Sequence, residues 1–167
     1  MGKRALVMSG GSARGAFEAG AADYLIRQRN LSFDVITGVS VGSLNGAKLA
    51  QAKGQPELEK EMAELRDLWL GITSSKDFYK KSILGPLVLA FRNHLYDLGP
   101  TAKTLKKQVD PDRLRKSGRE LRVGAVSLET GAYHSVTQNE PDIHQWILAS
   151  IATPTAISAA AEKNFSA

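Results

Sequence analysis

Within its first fifty residues the chain repeats one pattern twice: a short apolar run, a glycine-rich turn, then helical periodicity. Ala5, Leu6, Val7 and Met8 lead into Gly10-Gly11-Ser12-Ala13-Arg14-Gly15, and a helical pattern follows over residues 15–29. Residues 33–37 lead into Gly38-Val39-Ser40-Val41-Gly42, and helical spacing resumes over about 41–53, closed by Gly54. Two strand–helix units in succession predict parallel strands joined by right-handed crossovers. The expected fold class is therefore α/β, with a mainly parallel central sheet.

The two turns also differ in chemistry. The second has the G-x-S-x-G form of a nucleophile elbow, in which a sharp strand-to-helix turn exposes a serine hydroxyl. Ser40 is the candidate nucleophile, and Gly38 and Gly42 answer the need for small residues around the turn. The N–H of Val41, following the nucleophile at a helix start, is a candidate oxyanion donor. The first turn would aim the N–H groups of Gly10, Gly11 and Ser12 at a negative charge from a helix N-terminus. Arg14 and Gly15 would support that turn. A phosphate cradle is the rival reading, but position 12 is Ser where G-x-G-x-x-G needs Gly, and no Lys-Ser or Lys-Thr follows as in a P-loop. The only histidines are His94, His134 and His144. The order nucleophile, acid, histidine is formally met by Asp110 or Asp112 with His134 or His144, but a surface or capping role is favoured for each. No His, Asp and Glu cluster has metal-ligand spacing.

Pro56 begins an expected amphipathic helix ending near Gly71, with Leu58, Met62, Leu65, Leu68 and Trp69 on one face. The apolar cluster Ile83, Leu84, Leu87, Val88, Leu89 and Phe91 is read as a buried helix, with a lid or lipid-facing wall as the alternative. Short basic helices are expected over 101–109 and 111–117, and a β-hairpin over 121–128 and 132–137 around Glu129-Thr130-Gly131. A helix is expected over 142–151, with Ile143, Trp146, Ile147 and Ile151 toward the core. Residues 155–167 are rich in small side chains and show no strand signal. One domain over 1–167 is expected from the length.

The chain has no cysteine, which excludes disulfides and thiolate metal sites, and no run approaches the length of a membrane span. The apolar run after the basic N-terminus is too short for the h-region of a signal peptide, so cytoplasmic residence is expected. The net charge of +5 is uneven. Residues 103–122 carry Lys103, Lys106, Lys107, Arg113, Arg115, Lys116, Arg119 and Arg122 against Asp110, Asp112 and Glu120. A solvated helix face is the favoured reading, and peripheral contact with an anionic membrane is the alternative. Nucleic acid is not an expected partner.

With these residues in place, residues 4–157 resemble the patatin-like phospholipase family of serine lipid acyl hydrolases. Gly10 to Gly15 is similar to that family's G-G-G-x-R-G oxyanion motif. The elbow at Ser40 follows at the family's short spacing, and Ala149-Ser150-Ile151-Ala152-Thr153-Pro154 resembles its helix end before the last catalytic strand. The resemblance implies a three-layer α/β/α sandwich and a Ser-Asp dyad without histidine. It implies a lipid or small ester substrate and no metal or organic cofactor. Two departures stand out. Ser12 replaces the third glycine, and the sequence contains no Asp-Gly pair, where the family carries its catalytic Asp. A fragment of a longer protein is the favoured account. A truncated, inactive lipid- or partner-binding relative and a substitute carboxylate are the others, and Asp23, Asp34 and Asp110 have no motif behind them.

Overall fold

A computed structural model describes residues 2–74, 80–81, 94–152 and 155–157, with side chains over 2–74 and 98–152. The first strand, β1 (Ala5–Met8), passes through a 3-10 turn (Ser12–Arg14) into α1 (Gly15–Asp23). That helix ends in a π-type turn (Tyr24–Gln28) and stops at Asn30, whose φ of 50° reverses the chain. β2 (Val35–Val39) then leads through Ser40 into α2 (Val41–Ala50), and α3 (Gly54–Gly71) follows. The expected strand at 33–37 is displaced by two residues. Phe33 is apolar because it is buried ahead of the strand, while the pairing itself runs on through Gly38 and Val39.

Two short strands, β3 (Lys80–Lys81) and β4 (His94–Asp97), precede α4 (Gly99–Gln108) and α5 (Pro111–Lys116). Asp110 caps α5 by accepting from the N–H groups of Asp112 and Arg113. β5 (Glu120–Val126) and β6 (Tyr133–Thr137) form the expected hairpin, and α6 (Ile143–Ile151) follows with Asp142 as its cap. A last strand, β7 (Thr155–Ile157), corrects the expectation of no strand beyond 155. Three residues are too few to show an alternation. The apolar cluster at 83–91 lies outside the described residues.

The main sheet has the order β1-β2-β5-β6, parallel from β1 to β5 with β6 antiparallel at the edge. A second sheet has the order β3-β4-β7. The main sheet is flanked by helices, which is the α/β architecture expected. α2 lies directly on β1, β2 and β5, with α1, α3 and α6 packed around it. Every residue of α2 is buried. Small residues permit this: a Cβ on Gly46 would stand 3.1 Å from Ile36 Cγ2, so the helix rests close on the strand. Ile36, Leu121 and Val123 face this core, whereas Val7, Arg122 and Val126 on the opposite face are exposed. No described helix is long and apolar enough to cross a membrane.

Candidate active site

The parallel register of β1 and β2 brings the two turns together at the carboxyl ends of their strands, the end where open α/β sheets bind ligands. A Cβ on Gly10 would lie 3.1 Å from Ser40 Cβ and 3.8 Å from Ser40 Oγ. One on Gly42 would meet the Met8 and Ser9 carbonyl oxygens at 2.5 and 2.6 Å, and one on Gly38 would meet Ser43 N at 2.6 Å. Glycine is thus required by close backbone approach at Gly38 and Gly42, while at Gly10 the Ser40 side chain leaves a Cβ little room. Gly15 is crowded by side chains instead: its Cβ would press on Val41 Cγ2 at 2.6 Å and on the Trp69 ring at 2.7 Å.

Ser40 is half-buried at the turn between β2 and α2, with φ 55° and ψ −129°. A non-glycine residue there is strained, and its neighbours must hold it. The Ser40 carbonyl accepts from Ser43 N–H at 2.9 Å and from Ser43 Oγ–H at 2.6 Å. Val41 begins α2, so its N–H has no helical acceptor and stands beside the serine at the positive end of the helix dipole. Ser12 has φ 52°, in the left-handed region that glycine favours. Arg14 is exposed, and its N–H closes the turn onto Gly11 O at 2.9 Å. The N–H groups of Gly10, Gly11 and Ser12 have no acceptor among the described residues.

Several residues that support these turns escaped the sequence reading. Asn45 is fully buried on α2; it donates through Nδ2 to Gly15 O at 3.1 Å and accepts from Trp69 Nε1 at 3.0 Å. It ties the elbow helix to the start of α1 and to α3. Glu18 accepts from the Ser9 N–H and from Ser9 Oγ through Oε1, just ahead of the first turn. Its Oε2 is buried without a partner among the described residues. Ser150 on α6 bridges Ser40 N and Gly124 O. Each is a single polar residue inside a helical pattern, and only three-dimensional contact distinguishes it.

The histidines take structural places. His134 packs on Trp146 with ring centroids 5.9 Å apart, and His144 Nε2 meets Val109 O at 2.9 Å. Side-chain placement at His94 is outside the described set. A cleft of about 430 Å³ lies elsewhere, bordered by Lys48, Lys106, Lys107, Arg113 and His144. Lys48 is eight positions along from Ser40, about 12 Å by helical rise, so this cleft is separate from the elbow. Beside it, Lys48 meets Glu61 Oε2 at 2.5 Å, and Arg113 meets Glu61 Oε1 at 2.6 Å. Burial pushes the Glu61 carboxyl up, but hydrogen bonds from Lys48 and Arg113, the Lys48 charge and a Gln51 hydrogen bond outweigh it and hold the pKa below its ordinary value.

The basic stretch is largely engaged. Arg113 pairs with Glu61 and Glu57, Arg115 with Asp112, and Arg122 with Glu120. Arg119 is buried and donates to the carbonyls of Ala52, Phe33 and Gly54, and burial lowers its pKa. Lys103, Lys106, Lys107 and Lys116 are exposed and outside ion pairs among the described residues.

No curated protein matches the sequence. Among solved structures, a chain of the heterodimeric ExoU–SpcU complex from the type III secretion system of Pseudomonas aeruginosa is similar at 17% identity and a TM-score of 0.45. The match covers 92% of this chain and 37% of that one, so this chain spans well under half of that relative's length. The family model for patatin-like phospholipases matches residues 6–162, from β1 through the hairpin and α6. A match of that extent leaves only short ends outside it, and the chain belongs to the patatin-like phospholipase family.

Proposed function

We propose that this chain supplies the nucleophile and oxyanion donors of an enzyme that hydrolyses carboxylic ester bonds in lipids. The observation that carries this reading is the contact between the glycine turn and the serine elbow, where a Cβ on Gly10 would lie 3.1 Å from Ser40 Cβ. Ser40 Oγ attacks the ester carbonyl while a base takes its proton. The carbonyl electron pair moves onto oxygen, and the N–H groups of Gly10, Gly11, Ser12 and Val41 accommodate that charge. Collapse breaks the ester C–O bond, the departing alcohol takes the proton, and Ser40 carries the acyl group. Water then attacks the acyl carbon, and the acid leaves with Ser40 restored. Arg14 adds positive charge beside the turn.

The family resemblance assigns the base to an Asp-Gly aspartate, and residues 1–167 contain none. The proposal therefore places that aspartate outside this sequence. Loss of one member of such a unit lowers turnover by roughly a thousandfold or more, so these 167 residues alone are expected to be nearly inactive. The test is fatty-acid release from phospholipid vesicles by the protein expressed from its complete gene. Ser40→Ala is expected to abolish release; release undiminished in that variant would contradict the proposal.

The four unpaired lysines favour a second reading, a non-catalytic lipid-binding relative that contacts anionic membranes. It calls for salt-sensitive binding to anionic vesicles without ester turnover.

A further inference from the structure

We infer that Ser150 is a positioning residue for the nucleophile turn, an inference that rests on the reading of Ser40 above. The Ser40 N–H donates to Ser150 Oγ at 2.7 Å, and the Ser150 hydroxyl donates to Gly124 O at 2.6 Å. A serine hydroxyl has one proton and two lone pairs. Its proton is committed to Gly124, so a lone pair faces Ser40. Ser150 thus has its polarity fixed and is a clamp rather than a second nucleophile.

Ser40 is held on both peptide groups. Its carbonyl is tied by the Ser43 N–H and hydroxyl from within α2, and its N–H by Ser150 from α6, 110 positions away in sequence. Its φ of 55° is kept only if such partners over-determine it. Gly124 completes the clamp: the Tyr133 ring occupies the place of its side chain, with a Cβ 3.0 Å from two ring carbons. The hydroxyl therefore connects three elements, the end of β5, the last turn of α6 and the strained elbow. It gives a physical role to the serine of the Ala149–Pro154 segment, which sequence could only match by resemblance.

The test is residue-resolved amide hydrogen exchange on the protein, with Ser150→Ala and Ser150→Thr. In wild type the Ser40 amide is expected to be protected. Ser150→Ala is expected to speed its exchange about tenfold or more while the β2 amides hold, because one bond is lost and not the sheet. Ser150→Thr, which keeps the hydroxyl, restores protection. An unprotected Ser40 amide in wild type, no change in Ser150→Ala, or equal acceleration across β2 and β5 would each overturn the inference. Turnover by the complete protein gives a second readout. Ser150→Ala is expected to lower kcat by about tenfold to a hundredfold with KM unchanged, as misplacement of a reacting group does. A wild type that shows Ser40 protection but no turnover sinks the hydrolase reading and leaves the clamp intact.

Discussion

Ser12 is the residue at which this chain departs from its family's glycine motif, and its φ of 52° shows what the departure entails. The N–H that the turn needs is retained, but a Cβ is carried in a left-handed conformation. That costs about 1–2 kcal/mol. Glycine would remove the strain and lose about 0.5–1 kcal/mol through the freedom it adds to the unfolded chain. Strain is the larger effect. Ser12→Gly is therefore expected to stabilise the fold by about 0.5–1 kcal/mol, raising Tm by about 1–4 °C for a chain of this size. Thermal unfolding followed by circular dichroism checks this; a lower Tm would show that the Ser12 side chain contributes more than its strain. Gly15 behaves oppositely. With Val41 and Trp69 pressed against it, no side chain fits, and the need for glycine there is steric.

Among the elements, α2 carries the greatest burden, because it is buried on every side yet includes Lys48. That charge is tolerated through Glu61 and Glu64, and Glu61 is itself buried. The folded-state pKa of Glu61 lies below its ordinary value of 4.5. Between the two values the unfolded chain binds more protons, so stability rises with pH there. The contribution is complete above about 4.5 and is lost as pH falls through the folded value. Wild type is expected to lose Tm steadily below that point. Glu61→Gln, which removes the buried carboxylate shared by Lys48 and Arg113 and leaves them only Glu64 and Glu57, is expected to be less stable at pH 7 by about 1–3 kcal/mol and to show a flatter acid limb. Parallel Tm–pH curves for the two proteins would contradict this account. The elements themselves were legible to different degrees. β1 has the bounds its apolar run indicates, and α3 buries Leu58, Met62 and Leu65 as its periodicity requires. β2 was misplaced because Phe33 is apolar for packing rather than for pairing. β7 escaped because its partner, β4, is distant in sequence and neither strand is long enough for a pattern.

At the scale of the molecule, the chain brings into contact two turns that lie about thirty residues apart in sequence, and the parallel sheet does so by register alone. The turns were readable because Gly15, Gly38 and Gly42 each answer a steric demand that leaves a mark in sequence. Asn45, Glu18 and Ser150 were not, since a buried hydrogen bond leaves no periodicity. The charge surplus looked different once folded: Arg113, Arg115, Arg119 and Arg122 are committed to internal partners, leaving four lysines to solvent. The central claim remains Ser40 as nucleophile, and it is open to direct chemical test. A fluorophosphonate reacts covalently with a serine that is both activated and placed beside oxyanion donors. Treatment of the protein expressed from its complete gene, followed by peptide mass mapping, is expected to place the adduct on Ser40 and to show none in Ser40→Ala. An adduct on another residue, or equal labelling of the two proteins, would contradict the account.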